Sequence, residues 1–266
     1  MKDMSRTLIV LLLLMIVVTG IHFESVSRVS ISDLYTESNT IFKDRSGSIM
    51  RWVPAANGER HIWTPLNNIP DTVKNAFISA EDHRFYSHPG IDVVAILRAV
   101  KSNLTKGHIV SGASTITQQL SRLTYPRKRT YYDKLVELIR SLRIEGLLDK
   151  EQILELYLNK VPLGNNLVGV KAGSMVYFGK ILSRLTASEA ALLASLPKAP
   201  GKLNPYGRNA PLLIERKNWV LNKMHINGHI SFDILNVSLQ DTPILKPKSF
   251  PFGAPHFINQ VLPVSG

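Results

Sequence analysis

Three short stretches hold residue types suited to chemistry. In SAEDHRFYSHPGID, from Ser79 to Asp92, the carboxylates Glu81 and Asp82 adjoin, and His83 and His88 flank an aromatic pair. An apolar stripe of Val73, Ala76, Phe77 and Ala80 runs up to Glu81, which predicts a helix ending there. The helix dipole disfavours an ionised carboxylate at that end and raises its pKa, so Glu81 suits proton acceptance near neutral pH. The alternative is two solvated charges at a helix end. The histidine spacing, with Pro89 following, is not the four-residue helical spacing of zinc enzymes, so no metal is assigned to them.

The second stretch is SGASTITQQLSR, from Ser111 to Arg122. As a helix after Gly112 it sets Thr115, Gln119 and Arg122 on one face, with Ile116, Leu120 and Leu123 on the next. A hydroxyl, an amide and a guanidinium suit sugar hydroxyls and phosphate oxygens, whereas solvated surfaces are richer in Lys and Glu. In the third stretch, RKRTYYDKLVELIRSLRIE from Arg127 to Glu145, helical spacing groups Lys134, Glu137 and Arg140, and predicts a buried stripe of Leu135, Leu138, Ile139 and Leu142. A carboxylate between two cations keeps its charge. One carboxylate inclined to take a proton and one held ionised is the division of labour that glycosyl chemistry uses. A surface row of salt bridges is the plainer alternative. SLPK at Ser195 to Lys198 fits the S-x-x-K pattern of serine enzymes, but Pro197 interrupts the helix and no K-T-G follows, so Ser195 is not taken as a nucleophile.

The elements that must position these residues are mostly helical. Short β-type runs between Thr40 and Trp63 predict a hairpin or small sheet. From Pro70 the period becomes helical, and DVVAILRAVKSNL shows a second stripe of Val93, Ile96, Leu97 and Val100. Asp149 with Gln152 and Thr186 with Glu189 have capping-box spacing. After Met224 the pattern loosens, and the prolines at 243, 247, 251 and 255 predict an extended tail.

The chain has 266 residues, 44% of them hydrophobic, enough for one large domain or two small ones. A formal charge of +12 points to an anionic partner. The absence of Cys excludes thiolate metal sites, thiol catalysis and disulfides. Lys2 and Arg6 precede an apolar run from Leu8 to Val18, extendable to about 17 residues, which predicts a retained anchor with the rest of the chain outside the cytoplasm. That side of the membrane argues against nucleic acid as the partner.

In this order, EDHRFYSHPG, GASTITQQLSR, DKLVELIRSLRIE, KEQILELYLNKVPLG and SEAALLASLPKAP resemble the five motifs of the family 51 peptidoglycan glycosyltransferases, the N-terminal domain of class A penicillin-binding proteins. The resemblance spans Pro65 to Met224, and FPFGAPHF looks like the lead into the transpeptidase domain of the 1C subtype, here without that domain. It implies a mainly α, lysozyme-like domain with a smaller membrane-dipping lobe. It divides the chain into an anchor at 1–24, a β-rich connector at 25–64, the glycosyltransferase domain at 65–230 and a Pro-rich tail at 231–266. The implied location is the bacterial inner membrane, single-pass, with the catalytic domain on the periplasmic or extracellular side.

The implied substrates are lipid II and the growing glycan strand. By the same resemblance Glu81 is the base and Glu137 the second catalytic glutamate, assisting at the donor site. Asp82, Phe85, His88, Ser114, Thr115, Gln119, Arg122, Lys134, Arg140 and Asn159 are the implied substrate-binding positions. A divalent cation, Mg or Mn, at the diphosphate is allowed for; no protein-held metal and no organic cofactor are implied. Moenomycin-type inhibitors and cell-wall synthesis proteins are the other implied partners. Two departures stand out: Asp133 where the third motif usually has Arg, and Arg122-Leu123 where the second often has Lys-Asn. Arg122 keeps the charge. Asp133 is expected to weaken donor binding or to be offset by Arg129 and Arg140. A lysozyme-like lytic hydrolase and a non-catalytic lipid II-binding scaffold are the rival readings.

Overall fold

Most helix starts in this chain are capped by the side chain just before them. In the computed structural model, which describes residues 15, 17–35, 39–47, 49–106, 113–128 and 130–247, α1 spans Ile31–Leu34, α2 Asp71–Glu81, α3 Val93–Lys106, α4 Ile116–Thr124, α5 Tyr131–Leu147, α6 Lys150–Lys160, α7 Val170–Gly173, α8 Ala187–Ser195, α9 Ala210–Ile226 and α10 Phe232–Gln240. Both predicted capping boxes form, Asp149 with Gln152 at α6 and Thr186 with Glu189 at α8. Thr115, Thr130 and Ser231 cap α4, α5 and α10 through their hydroxyls. Before α1, residues 17–27 are also helical.

The core forms where α2, α8 and α9 pack on one another and α4 packs on α5 and α6. Phe77, Tyr157, Ile144, Leu120 and Leu193 are among its fully buried members. Strands are few. β1 (Ile41–Lys43) and β2 (Ile49–Trp52) make the predicted hairpin, antiparallel, with Ile41 opposite Trp52. β3 (Arg60–His61) pairs in parallel with β4 (Leu167–Val168), so the connector is stitched into the domain rather than standing apart from it. At Gly169 the backbone takes φ +83, and a Cβ there would lie 2.7 Å from the Asn159 carbonyl oxygen; a side chain would break this joint.

The α3 stripe faces outward: Val93, Leu97 and Val100 are 50 to 64% exposed, while Ala99 is buried. Two expectations are corrected. On α5, Leu135 and Leu142 are exposed, while Val136, Glu137, Arg140, Ser141 and Ile144 are buried. Periodicity identifies an apolar face without saying what covers it, and the inward face of α5 is taken by residues of the cleft described below. The tail is also shorter than expected, because 232–240 is helical: Leu235 is buried, and buried Lys217 of α9 donates to the carbonyls of Ser238 and Asp241. The apolar run at 8–18 and the FPFGAPHF segment lie almost entirely outside the described residues; among those residues no helix is long and apolar enough to cross a membrane.

Candidate active site

Glu81 is the last residue of α2, as its sequence position predicts. The helix stops because Asp82 turns extended, φ −160, and Asp82 then serves as a joint. Its Oδ2 accepts the Ile116 amide, the first of α4, at 3.0 Å, and its carboxylate meets His88 Nε2 at 3.0 Å. Thr115 caps the same helix end and donates to the Gly90 carbonyl at 2.6 Å. With the start of α4 pinned to the end of α2, Gln119 one turn on reaches Glu81: its Nε2 donates to Oε2 at 2.8 Å, while its Oε1 accepts from Tyr157 at 3.4 Å.

The other carboxylate oxygen, Oε1, is buried and has no hydrogen-bond partner among the described residues. Burial pushes the Glu81 carboxyl above the ordinary glutamate value, opposed by the Gln119 hydrogen bond and by the charges of Arg216, Lys198 and Arg122. The expected direction holds with a different main cause, desolvation rather than the helix end.

Across a cleft of about 1050 Å³, the opposite wall is cationic. Lys134 Nζ contacts Glu137 Oε1, Ser114 Oγ at 3.1 Å and Gln118 Oε1 at 2.9 Å. Arg122 lies 3.5 Å from the other oxygen of Glu137, which is buried. The second cation on Glu137 is thus Arg122 and not Arg140. Arg140 turns away to donate to the Val26 carbonyl at 2.5 Å and stacks on Tyr125 at 4.2 Å, because residues before the domain pack against α5. The Thr130 hydroxyl and Arg127, each 2.6 Å from Asp133, hold its carboxyl below the usual range, and Arg127 balances its charge. The expected offset by Arg140 is absent, and Arg129 lies outside the described residues.

Of the positions singled out from sequence, Glu81, Ser114, Gln119, Arg122, Lys134, Glu137 and Arg140 line the cleft. Asp82, Phe85, His88, Thr115 and Asn159 are buried and are not among the residues that line it; the contacts their side chains make are with the surrounding protein. Asn159 exchanges hydrogen bonds with the Thr64 backbone at 2.8 Å, and Lys150 sits over the Phe85 ring while donating to the His88 carbonyl. Lys198, Arg216 and Trp219 line the cleft and were missed. Lys198 stood in the dismissed S-x-x-K match, while Arg216 and Trp219, three apart on α9, carry only helical spacing as a signal. Ser195 is buried and donates to the Ala191 carbonyl.

Among the described residues, Asp82, His88 and Asp92 form the one group whose ligand atoms could gather a metal ion, within 4.8 Å of one another. Their oxygens already serve the Ile116 and Ala95 amides and Arg84. On the cationic wall, Glu137 and Asp133 are likewise paired with cations.

The transglycosylase family model matches residues 46–225. Penicillin-binding protein 1A of Aquifex aeolicus is 45% identical over 174 residues, 65% of this chain and 24% of that protein. The protein of the same name from Escherichia coli is 46% identical over 174 residues, 65% of this chain and 20% of that one. That of Rickettsia typhi is 36% identical over 219 residues, 81% of this chain and 27% of its own length. The chain therefore spans about a quarter of the length of the curated relatives it matches. These names are of 1A proteins and do not single out the 1C subtype.

Proposed function

Because the chain belongs to the transglycosylase family, the glycosyltransferase domain of class A penicillin-binding proteins, we propose that it polymerises lipid II into peptidoglycan glycan strands with inversion at the anomeric carbon. The observation that carries this reading is the polarity of one cleft: a buried carboxylate, Glu81, with one oxygen unpaired among the described residues, faces a wall of Arg122, Lys134 and Arg127. Glu81 takes the proton of the acceptor sugar 4-hydroxyl. The oxygen then forms a bond to the donor C1 as the C1–O bond to phosphate breaks, and the electron pair leaves on the lipid diphosphate. Arg122 and Lys134 bind the leaving diphosphate, and Glu137 keeps those two cations in place. A divalent cation, Mg or Mn, brought by the diphosphate would add further charge neutralisation. A hydrolase acting on a neutral glycan has no need of such a cationic wall, and a scaffold has no need of a buried base.

The exposed apolar face of α3, with Val93, Val94, Leu97, Val100 and Leu104, supports a lobe that dips into a membrane, and the 8–18 run supports an anchor that places the domain on the periplasmic or extracellular face. The test is polymerisation of purified lipid II by the full chain in detergent or vesicles. Failure to form glycan across several divalent metals, with moenomycin binding intact, would favour the scaffold; release of soluble fragments from finished peptidoglycan would favour the hydrolase.

Two further outcomes follow from the cleft's charges. Glu81 must be ionised to act as a base, and its raised pKa places the acidic limb of kcat/KM above the ordinary glutamate range. The charge of Arg216 lowers that pKa, so Arg216→Met is expected to move the limb to higher pH, and an unmoved limb in the pH profile would separate Arg216 from the base. Asp133→Asn is expected to change the KM for lipid II by less than about two-fold, since Arg127 already cancels its charge. A ten-fold tighter KM would instead make Asp133 a real handicap.

A further inference from the structure

We propose that Trp219 is a positioning residue, whose indole holds the Arg216 guanidinium at the end of α2 beside the base; this rests on the glycosyltransferase reading above. On α9, Arg216, Trp219 and Lys223 share one face by helical spacing. The Trp219 ring is taken up by the two cations of that face: the Arg216 guanidinium carbon lies 3.8 Å and Lys223 Nζ 5.6 Å from its centroid. A ring so occupied is a holder of cations rather than a surface for a ligand. From this stack Arg216 Nη2 reaches the Ala80 carbonyl, next to Glu81 at the end of α2, at 3.5 Å. The negative end of the helix attracts a guanidinium there. A second tie joins the same two helices, because Asn227, just past α9, donates to Ser79 Oγ at 3.2 Å.

Arg216 depends on such a holder. Its Nε is buried with no hydrogen-bond partner among the described residues, and the bond to Ala80 is long, so hydrogen bonding alone fixes this long side chain poorly. Stacking on the indole supplies the missing constraint. What is fixed matters to the chemistry, because of the charges around Glu81 that of Arg216 acts on it most strongly, opposing the desolvation that raises its carboxyl. The other groups facing this pair come from several elements: Gln119 and Arg122 of α4, Tyr157 of α6, Lys198 after α8 and Asp82 next in the chain, while Lys223 acts on His83. A base left to desolvation alone would hold its proton at neutral pH and could not take another. Trp219 therefore serves the reaction by keeping one charge in place rather than by touching substrate.

The test is the pH profile of kcat/KM for lipid II polymerisation by the full chain in detergent. Trp219→Leu removes the ring and keeps a good helix former. With Arg216 released, less positive charge opposes the desolvation of Glu81, so the acidic limb is expected to move to higher pH, as for Arg216→Met. On that limb kcat/KM should fall about three-fold, and on the plateau by less than about two-fold. Trp219→Phe, whose ring still takes a guanidinium, should keep the wild-type limb. In Trp219→Leu with Arg216→Met the limb should lie where Arg216→Met alone puts it. An unmoved limb in Trp219→Leu, or a double variant shifted beyond Arg216→Met, overturns the proposal while leaving the glycosyltransferase reading intact. If the wild type forms no glycan, that reading fails, and the positioning role is decided by carbon NMR of protein labelled at its glutamate carboxyls, the Glu81 signal being the one lost in Glu81→Gln. A titration midpoint higher in Trp219→Leu than in the wild type supports the proposal; equal midpoints overturn it. If Trp219→Leu does not fold, Trp219→Gln removes the ring in its place.

Discussion

Replacing Glu81 by Gln is expected to lower lipid II polymerisation by about 10³-fold, within the range that removal of a general base produces. The substitution keeps size and shape. The new amide oxygen can still accept from Gln119 Nε2, as Oε2 does now at 2.8 Å, so the joint between α2 and α4 is retained. What is lost is a basic atom, the buried Oε1, that has no hydrogen-bond partner among the described residues. Moenomycin binding should be unchanged, because the opposite wall is untouched. Radiolabelled glycan resolved by gel, with a thermal melt as folding control, measures the effect. A Glu81→Gln rate within ten-fold of wild type would sink the assignment of Glu81 as base.

Lys134→Ala is expected to cost about 10²- to 10³-fold in kcat, the loss typical when a group that stabilises developing negative charge is removed. Its effect has two parts that a double substitution separates. Lys134 offers charge to the leaving diphosphate, and it also holds Glu137, Ser114 and Gln118. Without it, Glu137 is a buried carboxylate whose one remaining ion pair among the described residues is with Arg122, 3.5 Å away. The melting temperature of Lys134→Ala should therefore fall, and Lys134→Ala with Glu137→Gln should recover part of that fall, since the uncompensated charge is gone. Activity should not recover. Restoration of activity in the double variant would assign Lys134 to neutralising Glu137 alone and remove it from the diphosphate site.

The two predictions draw on different depths of information. That Glu81 ends a helix is legible in the stripe of Val73, Ala76 and Phe77, all fully buried. That Lys134 meets Glu137 follows from their spacing on one helix. Arg140, equally well spaced, goes elsewhere because residues 23–30 pack on α5 and offer it the Val26 carbonyl and, through Tyr125, an aromatic face. Local periodicity contains no information about such a long-range competitor. Asp82, His88 and Asn159 share motifs with cleft residues yet brace the backbone, because a polar side chain can satisfy a buried amide as readily as a ligand.

By itself the sequence determined the helical class, the capping boxes at Asp149 and Thr186, the ordered motifs and the two glutamates. All of these depend on neighbours within one or two helical turns, where covalent spacing sets contact. Only the tertiary structure decided which cations face Glu137, that burial rather than the helix end raises the Glu81 pKa, that the stripe on α3 faces outward, and that Lys198, Arg216 and Trp219 of distant α8–α9 segments close the cleft beside the base. These depend on which surfaces meet between elements, from Arg122 and Glu137 on successive helices to Glu81 and Trp219 far apart in the chain. Desolvation and charge act through space, and the chain order does not record those distances.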